Sequence, residues 1–369
     1  MINTSEIFGI TDEFARGVIW KEFSVKINAT DFKEITKEVN RRKSEVHKKL
    51  ASFSRIRYFN LFNDMIRTSF YRVVDKVASE NDLNFLKFAG FGTEQWSDDS
   101  LNFMVNEAIC GNLCVYCYIV PIFNQYKWFD IKQIIANVEK EGVLIVSGKS
   151  TLSYEQKVVK RIPAQIDLKK ETMSWSSKHG LRKLYMSPTR HDIFPESVDF
   201  IIKKWKVLLK AGHYLLIVSK PLMSCISKIA EELIEYKDRV NFRFTITSDD
   251  QNILNLWEPF APLFEERIEC LKLVKNRGYG LSVSIEPFLS NPITLIEKLT
   301  PLVDEMWIGM MNWFPSEKIY GKPFSTELKE DIARIKKMYQ FDKMAQLVST
   351  LRINRKVQWK ESFLKLYLK

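Results

Sequence analysis

From residue 181 to residue 311, apolar runs of strand length alternate with stretches of helical period, and this repetition limits the fold more than any other feature of the chain. "RKLYMSP" reads as a strand and "ESVDFIIKKWKVLLKAG" as a helix stopping at Gly212. The pattern returns with "HYLLIVSK" and "SCISKIAEELIEYK", then with "VNFRFTIT" and "FEERIECLKLVKNRG", which stops at Gly278. It closes with "LSVSIEPF", "ITLIEKLTPLV" and "EMWIGMM". "LNFMVNEA" at 101–108 reads as an earlier strand, giving six principal strands, and "VLIVSG" at 143–148 is a further candidate. Strands separated by helices pair in parallel through right-handed crossovers. The expected class is therefore α/β, as a closed or partial barrel with six βα units, with a doubly wound sheet as the alternative. Either architecture gathers its chemistry at the C-terminal strand ends. The segments to read for function are then "CGNLCVYC", "SPTRHD", "SKP", "TSDD", "EPF" and "MN".

Around this 101–315 segment, residues 1–100 read as a mostly helical extension and 316–369 as a basic helical one. The net charge of +11 is uneven. Residues 26–76 and 316–369 each hold 13 Lys/Arg against 6 Asp/Glu, a net of +7 apiece. Such flanks suit a phosphate backbone, and they equally suit solvated helix faces. In "LRINRKVQWKESFLKLYLK" (351–369), Trp359, Phe363 and Tyr367 interleave with Arg352, Arg355 and Lys356. That mixture can stack bases and pair phosphates, or form an amphipathic helix buried against the barrel. An apolar content of 46% predicts a core rather than disorder. No apolar run approaches a membrane span, and "MINTSEIFGITDEF" lacks the pattern of a signal peptide, so a cytoplasmic protein without a membrane partner is expected.

Three of the five cysteines fall in "AICGNLCVYCYIV": Cys110, Cys114 and Cys117, spaced C-x3-C-x2-C after the first strand candidate. A structural zinc site wants four ligands. Cys225 and Cys270 lie on predicted helices, and His47, His179, His191 and His213 are remote in sequence. Zinc or buried free thiols remain readings of the loop. Three thiolates from one loop suit an iron–sulfur cluster with one iron left open. In "VLIVSGKST", Gly148-Lys149-Ser150 imitates the end of a phosphate-binding loop, but the pattern needs glycine where Val143 stands, so a plain turn is expected. His191-Asp192 could form an acid–base pair; Asp192 as a helix N-cap is the preferred reading.

The cysteine spacing, with Tyr116 immediately before Cys117, resembles the radical S-adenosylmethionine (SAM) superfamily, and the likeness extends through the strand–helix alternation to residue 312. "CVYCY", "LLIVSKP", "FRFTITSDD" and "GLSVSIEPFL" resemble its spore photoproduct lyase and DNA-repair-photolyase-like branch. The resemblance implies a 4Fe-4S cluster on Cys110, Cys114 and Cys117, with SAM chelating the fourth iron. One electron, from a donor such as flavodoxin or ferredoxin, then yields a 5′-deoxyadenosyl radical that abstracts hydrogen from substrate. By the same resemblance Lys220 reaches the SAM carboxylate, and Tyr116 lies with its backbone near the adenine. Ser187 and Thr189 stand where the methionine amine is bound. Thr245 and Ser248 would bond ribose hydroxyls or carboxylate oxygens, and Glu286 ribose or substrate. True lyases of this branch carry a cysteine between the cluster loop and the lysine-bearing strand that returns hydrogen to the product radical. No cysteine lies between Cys117 and Cys225, which leaves Tyr118 as the candidate donor. The implied substrate is nucleic acid; a peptide or metabolite is the alternative, as is a zinc- or cluster-bearing nucleic-acid module without turnover.

Overall fold

The computed structural model describes residues 10–24, 31–89, 92–105, 108–148, 150–175 and 181–368. Lys149, His179, residues 106–107 and the opening residues 1–9 lie outside the described residues. One parallel sheet of seven strands organises the chain: β1 (Asp99–Ser100), β2 (Leu184–Ser187), β3 (Tyr214–Ser219), β4 (Val240–Thr245), β5 (Gly280–Ile285), β6 (Glu305–Ile308) and β7 (Val357–Trp359). The strands pair in sequence order and every pair is parallel. An order that never reverses has no switch point, which sets aside the doubly wound alternative. β2, β3 and β5 are buried along nearly their whole length, as strands covered on both faces must be.

Register brings the strand ends level. Ser187 pairs with Ile217, Ser219 with Phe244, Thr245 with Ser284, and Ile285 with Ile308. The loops after β2 to β6 therefore leave the sheet at one edge. The helices between the strands follow the expected pattern: Pro195–Lys210, Met223–Glu232, Phe264–Asn276 and Ile293–Leu299.

Three expectations are corrected. The expected strand at 101–108 is not one over its described residues, 101–105 and 108; Met104 makes only an isolated antiparallel bridge to Ile166. The backbone of this segment is satisfied elsewhere: Val105 N bonds Gln165 O at 3.0 Å, Asp167 N bonds Phe103 O at 2.8 Å, and Phe103 N donates to His191 Nε2 at 3.2 Å. "VLIVSG" is not a strand either. Val143, Ile145 and Val146 are buried in a second apolar cluster with Ile131, Ile135 and Val138, and Val146 O accepts from Ser325 N. The third correction concerns 316–369, which is not wholly helical: after the helices Thr326–Met338 and Phe341–Leu351 it supplies β7.

The helices Asp12–Phe23, Phe32–Lys49, Arg55–Val74 and Glu80–Ala89 share the core of the sheet, with Ile19, Phe23, Phe62, Phe70 and Phe85 in the same cluster as Leu216, Val283 and Trp359. The Arg55–Val74 helix packs on β7. The Phe70 ring lies 6.1 Å from Trp359 and 5.3 Å from Tyr367, and Trp359 Nε1 donates to Tyr71 Oη at 3.0 Å. This cover shields the last strand of the sheet. Trp359 and Phe363 are fully buried, so they are core residues and have no face left for a base. Arg352 pairs bidentately with Asp75, and Lys356 caps the carbonyls of Thr300 and Val303. No helix among the described residues is long and apolar enough to cross a membrane.

Burial on this scale predicts that Phe363→Ala destabilises the fold by about 3–5 kcal/mol, read as a lowered urea midpoint. A midpoint equal to that of the parent chain would return Phe363 to the surface.

Candidate active site

A cavity of about 200 Å³ opens beyond the C-terminal strand ends. Cys110, Cys114, Tyr116, Cys117, Tyr118, Thr189, Lys220, Thr245 and Glu286 all line it. Ser187 and Ser248 do not. Ser187 is wholly buried and accepts from Trp205 Nε1 at 3.0 Å, while Ser248 Oγ meets Ser290 Oγ at 2.9 Å and accepts from Asp250 N.

The cysteine loop turns tightly. Leu113 N bonds Cys110 O, Cys117 N bonds Cys114 O, and Leu113 takes a left-handed φ of 45°. That conformation is unusual for a leucine, and strain of this kind collects at functional loops. Gly111 is required by a close approach: a Cβ there would lie 2.5 Å from Ile162 O. The far side of the loop is pinned by Val115, whose N–H donates to Trp257 O at 2.9 Å and whose carbonyl accepts from Tyr320 Oη at 2.9 Å.

Asp192 holds the near side, and it is not a helix N-cap. The following helix begins at Pro195 with Phe194 at the cap position. The Asp192 carboxylate instead accepts from Asn112 Nδ2 at 2.7 Å, Ser219 Oγ at 3.0 Å and the backbone N of Lys220 at 2.5 Å. Its own N–H points to Cys110 Sγ at 3.4 Å. Lys220 Nζ lies 3.7 Å from Asp192 Oδ2 and 5.6 Å from the centre of the Tyr116 ring. Burial disfavours the charge on Asp192, yet the Lys220 ammonium and these donors hold its pKa below the ordinary value. Burial opposes the Lys220 ammonium, but the Cys114 and Tyr116 groups beside it, with Asp192 and Glu258, raise its pKa well above the usual value.

A second buried network lies under the loop. Tyr116 Oη and Thr247 Oγ1 both donate to Glu258 Oε1, the latter at 2.7 Å, and Arg267 NH2 donates to Glu258 Oε2 at 2.5 Å. Arg267 also donates to the carbonyls of Pro262 and Thr245. Both charged side chains are without solvent exposure. Glu258, Arg267, Asn112 and Asn102 are absent from the sequence-predicted set. Asn102 accepts from the backbone N–H groups of Thr189 and Arg190 and donates to Thr189 Oγ1 at 2.7 Å. At the mouth Tyr118 is 48% exposed and donates to Thr189 O at 3.1 Å.

His191 is structural. Its Nε2 accepts from Phe103 N, so the proton resides on Nδ1, which donates to Asp192 O at 2.9 Å. Both ring nitrogens are occupied by backbone, and burial pushes the pKa down to about 4.

Three soft thiols reach one cavity from one loop, a donor set that by its chemistry suits an iron–sulfur cluster or zinc. Among the described residues no group of three or more His, Cys, Asp or Glu is arranged to hold a metal ion. Burial pushes the Cys114 thiol up to about 12 against the pull of Lys220, so uptake of a metal group here must displace protons.

No protein-family model matches the chain. The uncharacterized protein ORF301 of Acidianus two-tailed virus is 23% identical over 232 residues, covering 62% of this chain and 69% of that protein. Among solved structures, spore photoproduct lyase complexed with dinucleoside spore photoproduct aligns at 13% identity and a TM-score of 0.37, over 69% of this chain and 74% of that one. A variant of that lyase with bound AdoMet and dinucleoside spore photoproduct aligns at 13% identity and a TM-score of 0.33, over 67% and 72%. Scores this low describe a distant likeness, and the functional reading rests on the site's own residues.

Two outcomes follow from this packing. Glu258→Ala leaves Arg267 buried and unpaired, and should cost about 3–5 kcal/mol in equilibrium unfolding; a loss under 1 kcal/mol would mean the pair is not buried. For His191, the folded pKa lies below the unfolded value of about 6.5. The unfolded chain alone binds the proton between those values, so stability falls as pH drops from about 6.5 to about 4. His191→Gln should flatten that part of the stability–pH curve, and an unchanged slope would count against the buried neutral ring.

Proposed function

We propose that this chain is a radical SAM enzyme built on a partial (β/α)6 barrel, in which Cys110, Cys114 and Cys117 hold a 4Fe-4S cluster beside a SAM molecule. One observation carries the reading: three thiols spaced C-x3-C-x2-C share a cavity with one buried ammonium, Lys220, at the C-terminal ends of parallel strands. When bound, the cluster and SAM would supply one-electron cleavage of the sulfonium to a 5′-deoxyadenosyl radical for hydrogen abstraction.

The chain's own residues bind and orient. Lys220 pairs with the SAM carboxylate, a charge-assisted contact for which Asp192 is the resident partner at 3.7 Å. Tyr116, held by Glu258, fixes the backbone beside the adenine. Thr189 faces the methionine amine, Thr245 the ribose or carboxylate oxygens, and Glu286 the ribose hydroxyls. Ser187 and Ser248 are engaged elsewhere and take no part. Tyr118, next to Cys117 and at the cavity mouth, is the candidate hydrogen donor to the product. A flavodoxin or ferredoxin supplies the electron. The proposed substrate is a nucleic acid or nucleotide-bearing molecule, supported by the net charge of +11; the tail aromatics add no support, since Trp359 and Phe363 are buried. The cytoplasm is its proposed location.

Replacing all three loop cysteines with Ala should strip iron from anaerobically reconstituted protein, while changing both Cys225 and Cys270 to Ser should not; both of the latter are buried on helices. Iron retained in the triple variant, or a colourless zinc-loaded parent, would sink the assignment. Lys220→Ala should keep the iron and weaken SAM binding by about 1.5–3 kcal/mol in calorimetry, and an unchanged affinity would remove Lys220 from the site.

A further inference from the structure

Glu286 does not face the cavity alone. Lys360, the residue after β7, comes in from the far side of the sheet: its Nζ donates to Glu286 Oε2 at 2.6 Å and to Ser284 Oγ at 2.7 Å. The Lys360 backbone N bonds Ile308 O at 2.9 Å, so the β6–β7 ladder fixes the start of this side chain. Its ammonium is buried and lies 5.0 Å from the centre of the Trp96 ring, which leaves Glu286 as the carboxylate it meets. Asn312 Nδ2 approaches the other oxygen, Oε1, at 3.3 Å. On the third side stands Gly309, where a Cβ would lie 2.5 Å from Oε1. Any side chain there would push the carboxylate aside.

A carboxylate gripped in this way has its charge already met. It retains free lone pairs, because each oxygen accepts two hydrogen bonds. It therefore offers the cavity an oriented acceptor for a neutral donor and holds little attraction for a cation, which would have to compete with Lys360. We propose that Lys360 is a positioning residue, delivered by β7, that presents Glu286 to the paired hydroxyls of a ribose-type group bound in the cavity. The proposal rests on the SAM reading and extends it to the C-terminal segment, which supplies the charged anchor of the acceptor. Gly309 serves the same end by leaving space.

The test compares S-adenosylhomocysteine with its 2′,3′-dideoxy form, by calorimetry on the anaerobically reconstituted full chain, with melting curves to confirm that each variant is folded. The parent should prefer the hydroxylated compound by about ten-fold or more, the range of a charge-assisted hydrogen bond. Lys360→Met, Gly309→Ala and Glu286→Gln should each bring that preference close to one, and Lys360→Arg should retain it. A merely structural role would weaken both compounds alike and leave their ratio untouched. If the preference survives in folded Lys360→Met and Gly309→Ala, or if the parent binds both compounds equally, the proposal is overturned while the SAM reading stands. If the parent binds neither compound, both fall together.

Discussion

The Asp192 carboxylate is the interaction on which the candidate site depends. It belongs to the loop after β2, yet its bonds reach two other segments: the cysteine loop through Asn112 and the end of β3 through Ser219 and Lys220. A buried charge is costly unless paired and hydrogen-bonded, and Asp192 meets both conditions with groups that define the site. Its backbone N–H faces Cys110 Sγ while its side chain leans on Lys220. The first thiol and the lysine that lines the cavity are thus set by a single residue. Neighbouring His191, locked between Phe103 and the Asp192 carbonyl, keeps that residue from swinging away.

The Glu258–Arg267 pair does the same on the opposite wall. Ion pairs of this kind add little net stability, since desolvation offsets most of the attraction, but breaking one is expensive. Their value lies in geometry. Glu258 gathers Tyr116 and Thr247, and Arg267 reaches back to the carbonyl at the end of β4. Between the two networks, the cysteine loop is held from both sides while its three thiols still line the cavity. Glu286, just after β5, follows the same logic, with Lys360, Asn312 and the space above Gly309 setting its position.

Much of this was legible before any coordinates. Apolar runs and period-3.6 patterns located β2 to β6 and the helices between them, because each of these strands is mostly buried and apolar and is followed by a patterned helix or turn. The cysteine spacing and the strand-end position of Lys220 pointed to residues that meet in one cavity. The failures have a common cause. Residues 101–105 and 143–148 are as apolar as strands, but their backbone bonds run to neighbouring loops, and apolarity says nothing about bonding partners. β7 is three residues long and sits amid helices and lysines, too short to show a period. Asp192 reads as a cap because capping is local, whereas its partners in the fold, from Ser219 to Cys110, lie 27 to 82 residues away in sequence. Glu258 and Arg267 gave no signal at all, since a buried ion pair in sequence looks like two surface charges. Ser187 carried a signal that pointed the wrong way: its hydroxyl serves the Trp205 indole.

The central claim is that the three thiols leave one metal position open to a second molecule, and electron paramagnetic resonance tests it most directly. The full chain, reconstituted anaerobically with iron and sulfide and reduced with dithionite, should give the signal of a reduced 4Fe-4S cluster. Adding SAM should shift its g-values, because the open iron gains new ligands, and the shift should be lost in Lys220→Ala at SAM concentrations that saturate the parent. A cluster signal that SAM leaves unchanged in the parent chain, or no cluster signal at all, would contradict the account.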